Sequence, residues 1–195
     1  MFVLDEARRG DLRTRRLRLR APRRSDLLSL HEAIAETLPE LIRWLPWAHP
    51  GHDLQDTRRY LRGARLARAR RQSFELVIEG LSDGALHGIV SLHRIDWLRR
   101  SAGLGYWVRR ASWGKGIATE AGLRLIEHAF GDLMLHRLEA HVAPANGASV
   151  RVVEKLGFQS EGLARGVELI AGAFQDHLQY SLLSTDVRAI GAPCP

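Results

Sequence analysis

Residues 106–131, "YWVRRASWGKGIATEAGLRLIEHAFG", constrain the fold more than any other stretch of the chain. A strand-like run passes through a turn with two glycines and changes, without a spacer, into a helical pattern. Gly114 and Gly116 have no Cβ to restrict φ, so the backbone can turn tightly and aim several N–H groups in one direction. From there Ala118, Gly122, Leu125 and Ala129 recur at helical spacing. The first N–H groups of such a helix have no partners within it, and with the helix dipole they form a site for a phosphate. An ordinary strand-to-helix turn is the plainer reading of the same residues.

What the loop lacks narrows the ligand. Lys115 is followed by Gly116 rather than Ser or Thr, and no GxxxxGK[ST] exists, which argues against a nucleotide triphosphatase. The dinucleotide fingerprint would need a third glycine at Val108 or at Thr119, and neither position has one. With 195 residues, 45% hydrophobic and 26% charged, the chain has ordinary globular composition and predicts one domain over 1–195, with a short irregular tail from about 186. The net charge of +7 comes mostly from arginine and suits an acidic partner or ligand, and equally a coding preference for arginine, so charge alone decides little. The single cysteine, Cys194, excludes disulfides, a zinc ribbon and an internal thiol nucleophile. No apolar run is long enough to span a membrane and no leader opens the chain, which predicts a soluble, cytoplasmic protein.

Periodicity gives the order of elements. "RTRRLRLRAP" alternates leucine with arginine and reads as a strand ending at Pro22. Ser25 is placed to cap a helix through about Ala35. "LPELIRWLPWAHPGH" holds three prolines and two tryptophans and looks too interrupted for one helix. Asp53 or Asp56 starts the next, to about Arg70, with Arg58, Arg62 and Arg65 on one face and Leu54, Leu61 and Ala64 on another. Phe74 to Glu79 and Ala85 to Ile95 form a hairpin about Asp83-Gly84, and Gly103 to Val108 is the following strand. After the glycine loop and its helix come a strand at Arg137 to Val142, a helix at Asn146 to Gly157 and a last strand at Phe174 to Leu183. One or two strands close the chain, so the fold class is α/β (α+β), a mixed sheet with helices on both faces.

Several stretches together resemble the GNAT acetyltransferases, and within them the RimJ/RimL-type ribosomal-protein N-terminal acetyltransferases. They are "WLPW", "GIVSLHRID", "GLGYWV", "WGKGIATEA", "LHRLEAHVAPANGASVRVVEKLGF" and "DHLQYSLL", in this order over most of the chain. The resemblance implies a splayed GNAT-like sheet that takes acetyl-CoA between two parallel strands, with its pyrophosphate on the amides of Gly114, Lys115, Gly116, Ile117 and Ala118. Trp113 stands where the family commonly has Gln or Arg. A backbone N–H near Trp107 or Val108 would polarise the thioester carbonyl. Ser149 matches the family's thiolate-protonating serine, and Asn146 would hold the pantetheine amides; helix capping accounts for the same two residues. Asp96 occupies the position of a proposed general base, and a strand-end Asp closing a turn is equally consistent. Trp44 and Trp47 would shape the acceptor side or simply fill core. His136 with His141, and His87 with His93, lack zinc-motif spacing, so no metal is expected.

The function implied is an acetyl-CoA-dependent N-acetyltransferase acting on a primary amine, foremost the N-terminal α-amine of an acidic protein such as a ribosomal protein. A small-molecule amine is the alternative acceptor. A nucleic-acid-binding module using the Arg58, Arg62, Arg65 face is the remote one, and no DNA- or RNA-binding motif accompanies it. No membrane partner is expected, and a homodimer is compatible with the resemblance.

Overall fold

A computed structural model describes residues 10–189. Eight strands form one sheet in the order β1-β2-β3-β4-β5-β6-β8-β7. Along the chain they are β1 (Leu12–Arg13), β2 (Leu17–Arg20), β3 (Phe74–Gly80), β4 (Leu86–Asp96), β5 (Ser101–Val108), β6 (Arg137–Val142), β7 (Gln159–Ile170) and β8 (Ala173–Leu183). The helices are α1 (Leu27–Trp44), α2 (Leu54–Ala69), α3 (Ile117–Gly131), α4 (Gly147–Lys155) and α5 (Ser184–Ala189). All pairings are antiparallel except β5 with β6.

Side-chain alternation along the strands sorts the core into two layers. On one face Val77 and Ile89 pack with Leu30, Ala33, Ile34, Leu41 and Leu61 of α1 and α2. On the other, Ile78, Val90, Leu92 and Leu104 pack with Ile117, Ala121 and Leu125 of α3 and Val153 of α4. The expected mixed sheet with helices on both faces is therefore the architecture.

Four local expectations need correction. Ser25 does not cap a helix: it lies in a single 3-10 turn over Arg24–Asp26, and the Asp26 carboxylate accepts from the Arg23 N–H at 2.6 Å instead. The first helix does not stop near Ala35 but runs through Pro39 to Trp44. Pro39 gives the Ala35 carbonyl no N–H, a defect of about 3 kcal/mol in a helix interior. The stripe Leu30, Ala33, Ile34, Thr37 and Leu41, buried against the sheet, outweighs it. Residues from 184 to 189 are helical, not irregular from 186, and Cys194 lies outside the described residues. The segment before the last strand is a full strand, β7, whose side chains are nearly all exposed and which is held by its backbone pairing to β8.

Other ends match. Asp53 caps α2 by accepting from the N–H groups of Gln55 and Asp56 at 2.8 and 2.9 Å, while Asp56 returns a bond to the Asp53 N–H, so both candidate starters act together. At the end of α4 the N–H groups of Gly157 and Phe158 bond the carbonyls of Glu154 and Val153, a Schellman closure with Gly157 at C′.

Candidate functional site

β5 and β6 pair only where Ser101, Ala102 and Gly103 face Arg137, Leu138 and Glu139. Beyond that β5 continues to Val108 and β6 to Val142 without pairing each other, so the sheet opens into a wedge. The Arg109 N–H bonds the His87 carbonyl at 2.8 Å, which fixes the alternation along β5. Odd residues, Trp107 included, turn their N–H groups to β4, and Tyr106 and Val108 turn theirs into the wedge. Of the two residues expected to offer an amide, Val108 is the one so placed. Trp107 instead packs its ring among Trp47 and the apolar residues of α1 and α2.

The glycine loop stands at the mouth of this wedge. Gly114 and Gly116 have φ of 71° and 74°, the left-handed region that glycine alone enters without strain. Gly116 is the N-cap of α3 and supplies no side chain, and among the described residues no hydrogen bond takes up the N–H groups of Gly114 to Ala118. The Trp113 indole N–H donates to the Val108 carbonyl at 2.7 Å, so this side chain closes the end of β5 and does not reach outward as Gln or Arg would. Lys115 likewise turns back, its Nζ donating to the Ala111 carbonyl at 2.7 Å. Arg16 braces the loop by donating to the Lys115 carbonyl at 3.1 Å and to Glu120 at 2.6 Å. Beside Gly116 lies a concavity of about 530 Å³ whose charged lining is Arg13, Arg124 and Lys155 with the carboxylates Glu120 and Glu127, of which Glu120 is held by Arg16.

Within the wedge, Tyr106 of β5 and Ser149 of α4 meet. Their hydroxyls are 2.8 Å apart, and Asn146, the N-cap of α4, accepts from the Ser149 N–H at 3.1 Å. The helix-cap reading of Asn146 and Ser149 is thus satisfied while the serine hydroxyl stays engaged with Tyr106. Burial pushes the Tyr106 phenol up to about 12, with the Ser149 bond pulling the other way, so the phenol stays protonated over the working pH range. Tyr106 is not among the residues expected at the site; its position opposite α4 is a long-range fact that no local pattern carries.

The opposite side of the wedge, the α1/α2 face, holds His93. Its ring lies against β5, so close that a Cβ on Gly103 would collide with its Nε2 and one on Gly105 would meet its Cε1 at 3.3 Å. That is where the β5–β6 pairing ends. Burial, with Arg94 and His141 adding to it, pushes the imidazole down to about 4, so it is neutral at physiological pH. Zinc-motif spacing was the only test the sequence offered this histidine, and it says nothing about a lone base.

Asp96 is not brought to the wedge. It pairs with Ser101 beyond a bulge in β4, five residues from Tyr106 along β5, or about 17 Å of strand. Its carboxylate accepts from the Arg99 backbone and side chain at 2.9 and 2.8 Å, which holds it below the usual range and makes it the closer of a turn. Trp47 stacks near Trp107 and Tyr60, at centroid distances of 6.3 and 6.5 Å, over a small cavity shared with Ile34 and His52. Trp44 lies apart from this group, under the Arg43 guanidinium at 4.9 Å.

The chain was compared with known proteins. The pattern of the acetyltransferase (GNAT) domain matches residues 16–159. A Bacillus subtilis protein, the probable N-acetyltransferase YjcK, is 44% identical over 106 residues, which is 54% of this chain and 59% of its own length. The chain thus spans less than two thirds of that relative. The ribosomal-protein-serine acetyltransferase of Escherichia coli K12 is 27% identical over 160 residues, 82% of this chain and 88% of its own. Among solved structures, Mycobacterium smegmatis RimJ in complex with CoA-disulfide superposes with a TM-score of 0.80 at 28% identity, covering 93% of each chain.

Proposed function

Because this chain belongs to the GNAT acetyltransferase family, we propose that it transfers the acetyl group of acetyl-CoA to a primary amine, the N-terminal α-amine of an acidic protein of the ribosomal kind. One observation carries the reading: the β5–β6 wedge, with free loop amides at its mouth and a paired serine and tyrosine hydroxyl inside. The pyrophosphate of the coenzyme fits the N–H groups of Gly114 to Ala118, and its nucleotide end fits the concavity lined in part by Arg13, Arg124 and Lys155. The pantetheine arm lies between β5 and β6, near Asn146. The relative that acts on a ribosomal protein supports the acceptor class, as does the net charge of +7.

The reaction follows from these placements. An α-amine has an ordinary pKa of about 8, so a substantial share is already neutral near pH 7.5. It approaches from the α1/α2 face, where Trp47 and Trp107 wall the approach. The amine nitrogen bonds the thioester carbon while the Val108 N–H takes up charge on the carbonyl oxygen. As the C–S bond breaks, Ser149 gives its proton to the sulfur and regains one from solvent, while the Tyr106 hydroxyl holds it in place. The proton lost by the amine passes to the neutral His93, directly or through water, and on to solvent. His93 thus takes the role expected of Asp96.

Acetyl transfer measured over short peptides with different N-termini and a panel of small amines tests the proposal. Acidic peptides acetylated at the α-amine are the expected products; turnover confined to neutral or cationic small amines would replace the protein acceptor with a small molecule. His93→Gln is expected to lower kcat more than Asp96→Asn. The reverse order would return the base to Asp96.

A further inference from the structure

The connection from α1 to α2 carries His49 and His52, and α2 opens with Asp56 in its first turn. One ligand atom from each of these three residues lies within 4.8 Å of the other two. His49 Nε2 is 3.3 Å from Asp56 Oδ2. Bonds of about 2.0–2.1 Å from a tetrahedral ion set their ligand atoms about 3.4 Å apart, so this pair already has the required spacing.

His52 supplies the second, independent observation. Its Nε2 stands 3.1 Å from Thr57 Oγ1, whereas its Nδ1 is shielded from solvent with no hydrogen-bond partner. The Thr57 hydroxyl is also 3.3 Å from the Asp53 carbonyl, the i−4 bond open to a threonine in a helix. With the hydroxyl proton on that carbonyl, the oxygen receives from His52 and from His31, whose Nδ1 is also 3.1 Å away, and the His52 ring proton is on Nε2. A neutral imidazole with its proton there has a bare lone pair on Nδ1. A shielded lone pair with nothing to bind is a cost, and an imidazole held by its other nitrogen is how metal-ligating histidines are oriented. Asp56 is held in the same way: Oδ1 accepts from Arg59 at 2.6 Å and Oδ2 from the Asp53 N–H at 3.1 Å, leaving Oδ2 a further lone pair.

We propose that His49, His52 and Asp56 bind a divalent transition-metal ion of the zinc class, with water in the fourth position. Two imidazoles and one carboxylate suit zinc, cobalt or nickel, whereas magnesium and calcium ask for oxygen ligands alone. The ion takes no part in acetyl transfer. It ties residues 49–52 to the first turn of α2, and Trp47 lies edge-on to the His52 ring at 5.8 Å. Occupancy thereby sets one wall of the acceptor approach. The expectation of no metal rests on the spacing of His136 with His141 and of His87 with His93, and these three residues are not part of it.

The test uses the untagged, chelator-treated full chain. Titration with Co²⁺ should develop the visible bands of a low-coordinate complex, saturating at one ion per chain and displaced by Zn²⁺. His49→Ala, at a half-exposed position that should leave folding unchanged by circular dichroism, should abolish the bands, and His52→Ala should do the same. Thr57→Val, which removes the partner of the His52 Nε2–H, should weaken binding about tenfold to a hundredfold. Absence of the bands, or equal cobalt affinity in wild type and His49→Ala, overturns the site.

Discussion

Tyr106 and Ser149 show how two ordinary hydroxyls acquire different work from their surroundings. The phenol, pushed up to about 12 by burial, holds its proton, and the serine beside it is the one aimed at the wedge. Ser149→Ala should lower kcat by about tenfold to a hundredfold with coenzyme affinity nearly unchanged, because the hydroxyl acts on charge that appears only as the thiolate leaves. Tyr106→Phe should give a smaller loss of the same kind; steady-state kinetics beside calorimetric titration separate the two constants. Elsewhere the buried Arg20 grips Asp26 with two bonds of 2.8 Å and Glu79 with one of 2.6 Å. Burial alone would raise Asp26, but the Arg20 and Arg23 bonds outweigh it and hold the carboxyl below its usual range. Its stabilisation is therefore complete above about pH 4, the unfolded value, and is lost as pH falls through the depressed native one. Asp26→Ala should cost about 3 kcal/mol in urea unfolding at pH 7, with the deficit shrinking below pH 4. None of these partnerships is readable in the sequence. Ser149 is, since NxxS at a helix start is a local spacing, whereas the meeting of Tyr106 on β5 with a helix far along the chain, and the packing of the His93 ring against β5, leave no local mark.

The elements divide the same way. Alternation located β2 to β6 and β8 within a few residues, and helical period with caps located α2, α3 and α4, because each of those signals is local. Pro39 misled: the burial of one α1 face is a tertiary gain that outvotes a local breaker. Pro39→Ala should consequently raise the unfolding midpoint, adding about 1–2 kcal/mol, since the restored N–H and better propensity exceed the entropy the alanine returns to the unfolded chain. An unchanged or lowered midpoint would mean that the helix is shaped around the proline. β7 was missed as a definite strand because its exposed side chains show no buried face to alternate. The loop before α3 was the most legible element, as its glycines are needed at φ values other residues avoid. Gly116→Asp should weaken coenzyme binding by at least about tenfold, combining backbone strain with a negative charge against the pyrophosphate. Isothermal titration with coenzyme A reads this directly.

For the whole molecule, charge and topology set how it meets its ligands. Arg58, Arg62 and Arg65 are exposed along α2 on a chain of net charge +7. An acidic acceptor should be drawn in by that field, so kcat/KM should fall as salt is raised, and reversing the three arginines to glutamate should lower it by about tenfold at low salt while sparing coenzyme affinity. Rates indifferent to both would leave the acceptor uncharged. The brevity of the β5–β6 ladder has a mechanical consequence. Strands β1 to β5 and strands β6 to β8 are two leaves joined across the sheet by three facing residues on each side, a seam with little stiffness of its own. A coenzyme seated there acts as a splint. Backbone amides at Leu104 to Val108 and Ala140 to Val142 should exchange with deuterium more slowly once it is bound, and the enzyme would be stiffest while loaded and loosest at the moment its product has to leave.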